Sequence, residues 1–124
     1  MSDEDFEAYL KSIGGLVNGY RTDRGPIISA GIASVGNGWL GMIKQLIEDL
    51  IKAGWNKEIC QIKEKFGGLR FYINEGNEEV WKLISEAEKK SYQICETCGE
   101  PGEPENTGWI KTACTAHMKQ RIEN

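Results

Sequence analysis

Three of the four cysteines and the single histidine of this 124-residue chain fall into one pattern, C-x2-C-x15-C-x2-H, at Cys95, Cys98, Cys114 and His117. Zn²⁺ takes four soft or borderline ligands in a tetrahedron, and two closely spaced pairs joined by a hairpin supply them. A segment built this way must turn back on itself to close the ring of ligands, so the pattern constrains residues 95–124 more than any local propensity does. Two disulfides are the competing reading. They would leave His117 without a role and require an oxidising compartment. The acidic opening MSDEDFEAYL has no apolar core, which predicts no secretory signal and a cytoplasmic, reducing setting.

All four positions around the metal are filled by protein, whereas a catalytic zinc keeps one open for water. The expected Zn²⁺ is therefore structural. It also takes the only imidazole, which removes Ser-His and Cys-His nucleophile systems. No paired carboxylates or phosphate loop stand out, so the chain reads as a non-enzyme. Apolar residues at 40% and charged ones at 27% support a folded core rather than disorder. A net charge of −4 and a pI near 5.1 argue against a protein that coats duplex DNA or RNA. No apolar run approaches about 18 residues, so no membrane span is expected.

The pass along the chain predicts an α+β fold: a β-hairpin packed on two long helices, closed by a C-terminal treble-clef-like zinc module. Two units follow, an α+β core over 1–94 and the zinc module over 95–124, packed on it. Phe6, Tyr9, Leu10 and Ile13 predict a short helix over 3–13. Short strand pieces are expected near Ile27–Ile28 and Ile32–Val35. Asn37 is placed to cap a strongly amphipathic helix over 38–53, stopped by Gly54. Asn77 is placed to cap a second helix from 78 to about 92. A short strand over 109–112 and a helix opening at the second ligand pair complete the clef, with Trp109 as its small core.

Residues 58–74 read as a hairpin turning at Gly67-Gly68, because glycine accepts the positive φ that a two-residue turn needs. That turn sets Phe66 opposite Leu69, Lys65 opposite Arg70, Glu64 opposite Phe71 and Lys63 opposite Tyr72. Cys60, Ile62, Phe66, Leu69, Phe71 and Ile73 then share the core face, and Gln61, Lys63, Lys65, Arg70 and Tyr72 the other. Glu64 is the exception on the apolar face. It either reaches out near the strand end or is buried with a specific partner, an arginine being the safer choice.

Several segments together resemble an uncharacterised family of small bacterial and phage-borne proteins: VGNGWLGMIKQLIEDL, QIKEKFGGLRFYI, the following helix, and CETCGEPG…GWIKTACTAH. The resemblance spans about residues 32–118. It implies a shared fold, a zinc site and a phage or prophage setting, hence the host cytoplasm, and it implies no particular activity. In that family the equivalent of Asn37 is often Asp. The zinc segment separately looks like the treble-clef end of small bacterial transcription regulators in which CxxCG follows a long helix, although their fourth ligand is usually Cys.

Lys63, Lys65, Arg70 and Tyr72 are the sharpest binding candidates. Like charges opposed across a hairpin ask for an anion or a carboxylate. Arginine offers phosphate a planar fork, lysine a point charge, and tyrosine a stacking surface. A solvated face paired with Glu58 or Glu75 is the plain alternative. Asn37, Gly38 and Trp39 join the candidate set because backbone N–H groups at a helix start can seat an anion and Trp39 could flank a base. Arg21 and Arg24 could close over such a ligand. Cys60 reads as a packing residue.

The leading expectation is a non-enzymatic protein that captures a small phosphorylated ligand, such as a nucleotide signal of host immunity in an anti-defence role. The alternative is a zinc-stabilised module that binds and inhibits a host protein. Single-stranded nucleic acid ranks after both. A homo-oligomer is compatible with all three.

Overall fold

The computed structural model describes residues 1–13, 16–17, 21–22, 25–26, 33–107 and 109–117, with side chains at 1–13, 35–105 and 110–117. The expected strand at Ile27–Ile28, the Arg24 contact, the Arg21 and Trp109 side chains and the helix beyond 117 lie outside the described residues.

The chain is α+β. Helix α1 (Asp3–Ile13) opens with Ser2 and Asp5 bonded to each other: Ser2 Oγ accepts from the Asp5 N–H at 3.1 Å. Strands β1 (Leu16–Val17), β2 (Arg21–Thr22), β3 (Gly25–Pro26) and β4 (Ala33–Ser34) follow. A 3-10 turn (Asn37–Trp39) then leads into α2 (Leu40–Lys52), and β5 (Glu58–Lys65) and β6 (Gly68–Ile73) form the hairpin. Helix α3 (Glu78–Ser91) and the hairpin β7 (Glu103–Thr107) and β8 (Trp109–Ala113) complete the order, with residues 115–117 helical.

Strand β5 is central: β6 pairs with it antiparallel on one side, while β1 and β4 pair with it parallel, one after the other, on the other. The expected hairpin is thus the heart of a small mixed sheet, extended by β4 as the apolar segment near 32–35 suggested. Phe6 and Leu10 of α1, Leu40, Ile43, Leu46, Ile47 and Leu50 of α2, and Val80 and Ile84 of α3 pack with Ile59, Ile62, Leu69, Phe71 and Ile73 of the hairpin. Burial of that interlocked set is the main stabilising term. Among the described residues no helix is long and apolar enough to cross a membrane.

The ends of the long helices show how sequence acts locally. Helix α2 closes with the Gly54 N–H on the Ile51 carbonyl and the Trp55 N–H on that of Leu50, a Schellman stop that buries Trp55. Asn77 caps α3, accepting from the Val80 N–H at 2.9 Å, and its amide also donates to the Ala53 carbonyl at 2.8 Å. One side chain therefore starts one helix and secures the end of the other.

Two expectations need correction. Asn37 is exposed and makes no side-chain cap bond, and α2 begins two residues later than expected, behind the 3-10 turn. In the hairpin the two central turn residues are Phe66 and Gly67, with φ of 54° and 85°, rather than Gly67 and Gly68. Lys65 pairs with Gly68, Glu64 with Leu69, Lys63 with Arg70, Ile62 with Phe71 and Gln61 with Tyr72.

The reason is tertiary. Gly68 is needed not for its φ but because a Cβ there would strike the Tyr92 ring, so it belongs to the strand and the turn slides back one residue. Each partner moves by two positions, and because side chains alternate with period two the faces survive. Phe66 leaves the core face and stands 65% exposed. Its left-handed backbone costs an L-residue about 1–2 kcal/mol. At the other end a bulge between Ile59 and Gln61 puts Ile59 into the core and leaves Cys60 half-buried, its thiol bonded to Asn74 Oδ1 at 2.9 Å.

Strand β6 is the free edge of the sheet, and α3 closes it. Ser91 Oγ accepts from the Leu69 N–H at 2.9 Å and a Glu88 carboxylate oxygen from the Phe71 N–H at 3.0 Å. Outward N–H groups that would otherwise template another strand are thereby occupied.

Candidate metal centre

Helix α3 delivers the chain into a tight turn in which the Gly99 N–H returns to the Cys95 carbonyl at 2.9 Å and the Cys95 N–H reaches the Glu100 carbonyl at 2.8 Å. Cys95 and Cys98 sit on this turn. Strands β7 and β8 carry the chain out and back, placing Cys114 at the end of β8 and His117 in the helical residues 115–117. Pro104 made β7 hard to foresee. It stands in a strand paired only on its β8 side, where a missing N–H is tolerated.

The four candidate ligands come together. Their ligand atoms all lie within 4.8 Å of one another, and the cysteines are free thiols. His117 Nδ1 is 3.4 Å from Cys95 Sγ and 3.1 Å from Cys114 Sγ, and Cys98 Sγ is 3.7 Å from Cys114 Sγ. Cys95 is buried and the others reach the surface to different degrees. The cluster can hold a metal ion.

Its electrostatics suit a cation. Burial pushes the Cys95 thiol up, but N–H groups of Cys114, Cys98 and Thr97 and the Cys98 thiol outweigh it, so the value falls to about 6. Cys114 is lowered, first by the His117 N–H. His117 is raised, first by its contact with Cys114 and then by Cys95. At Cys98 the Glu100 N–H pulls down, yet burial and the neighbouring sulfurs leave it raised. Amide donors gathered around sulfur favour thiolates, the form that binds metal.

Around this cluster the GxGW segment acquires a role that its residues alone did not reveal. The Gly38 N–H donates to the Glu96 carbonyl at 2.8 Å, the Gly36 N–H to the Glu96 carboxylate at 2.8 Å, and Trp39 Nε1 to the Ile94 carbonyl at 2.8 Å. The anion at this helix entrance is the chain's own Glu96. Its carboxyl is raised chiefly by burial and also by Glu64, against the pull of the Gly36 N–H and Lys111. The readings of Gly38 as a ligand seat and of Trp39 as a base-stacking face are therefore corrected: Gly38 is already bonded and Trp39 is fully buried, while Asn37 lies exposed outside this contact.

The hairpin turn is the second point of attachment. The Gly67 carbonyl accepts from Thr112 Oγ1 at 2.6 Å, and the Gly67 N–H donates to Glu64 at 2.7 Å. Glu64 therefore braces the turn, and among the described residues it has no arginine partner. A Cβ at Gly67 would meet Ile110 of β8. The FGG and GNGW motifs are both docking points for the cysteine segment.

On the far face of the sheet Lys63 stands directly opposite Arg70. Lys65 and Tyr72 are exposed, Lys63 and Arg70 half-buried. Lys63 Nζ lies 5.8 Å from the Tyr72 ring centre, and Arg70 donates to Tyr92 Oη at 3.4 Å and to the Leu69 carbonyl at 2.9 Å. Asn56 Nδ2 donates to both Glu58 and Glu75. Among the described residues the only ion pair within 4.0 Å joins Lys11 to Glu7, so no described carboxylate comes that close to Lys63, Lys65 or Arg70, although Glu88 acts on Arg70 from farther away. No protein-family model, curated protein or solved structure matches this chain.

Proposed function

We propose that this is a zinc-stabilised binding protein of the cytoplasm whose working surface is the basic face of the β5–β6 hairpin, and that it captures a phosphorylated ligand. For the metal, a tetrahedral zinc would separate two sulfurs by about 3.8 Å and a sulfur from a nitrogen by about 3.5 Å. The 3.7 Å and 3.4 Å separations in the cluster lie near those values, and the 3.1 Å between Cys114 Sγ and His117 Nδ1 would have to open slightly around the ion. The order of knuckle turn, β7–β8 hairpin and helical residues at His117 supports a treble-clef module, and four protein ligands support a structural metal rather than a reactive one.

One observation carries the ligand class: Lys63 and Arg70 face each other as a cross-strand pair, Lys65 lies beside them, and no described carboxylate lies within ion-pair distance of any of the three, Glu88 acting on Arg70 only from farther away. Like charges held opposite each other destabilise a sheet, and a phosphate between them removes that cost. Tyr72 supplies an aromatic surface beside the cations. In a phage setting the same capacity would sequester a nucleotide signal of host defence. Calorimetry of the metal-loaded protein against mono-, di- and cyclic nucleotides tests the reading. Micromolar binding that disappears in the double variant Lys63→Ala, Arg70→Ala is expected; no heat with any of them, at full metal content, would refute it.

A further inference from the structure

Phe66 is the residue that the fold does not account for. It occupies a left-handed turn position that Asn or Gly would fill without strain, and it leaves 65% of its surface to solvent. It is nonetheless held firmly. The next residue, Gly67, is pinned through its N–H by Glu64, through its carbonyl by Thr112, and against Ile110 of the metal-bearing hairpin. A large ring displayed on a braced turn is an organised contact element rather than a loose end.

Its surroundings indicate the chemistry of the contact. Lys65 Nζ lies 5.5 Å from the Phe66 ring centre, as Lys63 Nζ lies 5.8 Å from that of Tyr72. Along the hairpin the order is Tyr72, then the Lys63–Arg70 pair, then Lys65, then Phe66: two exposed rings bracketing three cations. Five strand steps separate Gln61, the cross-strand partner of Tyr72, from Phe66, so the rings are about 16 Å apart along the strand direction. Stacked rings lie within about 7 Å of each other. One base cannot touch both. Successive bases of one strand can, with the phosphates between them on Lys63, Arg70 and Lys65.

We infer that the phosphorylated ligand of this face is a single-stranded oligonucleotide, with one base stacked on Phe66 and another on Tyr72. This deepens the reading of the basic face and rests on it. A polyanion recognised by alternating aromatic and cationic groups also fits an acidic protein, because the positive field is local to the hairpin.

The test is fluorescence anisotropy with labelled oligothymidylate and oligouridylate of about eight nucleotides, within the site sizes of single-strand binding folds, alongside calorimetry with the mononucleotides. The metal-loaded full chain is used throughout. Phe66→Asn restores a favoured Asn-Gly turn, so it should keep or raise the melting temperature. It should weaken oligonucleotide binding about ten-fold and leave mononucleotide affinity unchanged. Lys63→Ala should lower the salt-dependence slope by about 0.7.

Mononucleotides binding as tightly as oligonucleotides, with Phe66→Asn affecting neither, would overturn the inference while leaving the phosphate-capture reading intact. Binding of neither class would overturn both. Displacement of the oligonucleotide by polyglutamate at equal charge would show that charge alone is read, as for an acidic protein partner, and would also overturn the inference.

Discussion

A methyl group at Gly38 would sit against the backbone of Cys95, Cys98 and Gly99, all inside 3.0 Å. None of these atoms is the yielding end of a side chain, so relief would require the metal turn to move away from the helix entrance. Gly38→Ala should therefore cost about 1–3 kcal/mol and weaken metal binding with it, read by chemical denaturation and by competition with a zinc indicator. Gly41, one turn into the same region, has nothing within 4 Å of its would-be Cβ and lies exposed on α2. Gly41→Ala should stabilise by about 0.5–1 kcal/mol. Opposite signs at two glycines three residues apart would separate close packing from backbone entropy; equal signs would mean the GNGW contact is not tight in solution.

At the scale of elements, the hairpin depends on α3 as much as on its own turn. Ser91 is fully buried, accepts from the Leu69 N–H and donates to the Glu88 carbonyl at 2.6 Å. Ser91→Ala leaves the Leu69 donor buried without an acceptor, at a cost of about 1–3 kcal/mol. Faster hydrogen exchange at the Leu69 amide, with that of Ile84 on α3 little changed, would show that the loss is local to the strand edge. The hairpin itself was legible in part. Alternation revealed which residues share a face, because a period of two is a property of the strand alone. Register was not legible, because it depended on Gly68 making room for Tyr92, a residue more than twenty positions away. For the same reason Phe66, apolar and in phase with Ile62, read as core.

For the whole molecule, the cysteine segment is bonded to the core at Gly36, Gly38 and Trp39 on one side and at Gly67 on the other. Metal binding and folding should therefore be linked, as in small domains whose ligands converge only in the native state. Chelation should lower the melting temperature, expose Trp39 to quencher and loosen the hairpin turn, with readdition of one equivalent of Zn²⁺ restoring all three. A chelated protein that keeps its melting temperature and Trp39 burial would show that the cluster does not support the fold. The clustering of Cys95, Cys98, Cys114 and His117 was legible in the chain itself, since residue type and spacing decide what a short turn can present to a cation. The long helices, the Asn77 cap and the stop at Gly54 were equally visible, because helix periodicity and end signals are local. The purpose of GNGW and FGG emerged only in three dimensions. A glycine that grants space to a distant backbone looks the same in sequence as one that grants a turn or an anion seat, and only tertiary contact distinguishes them.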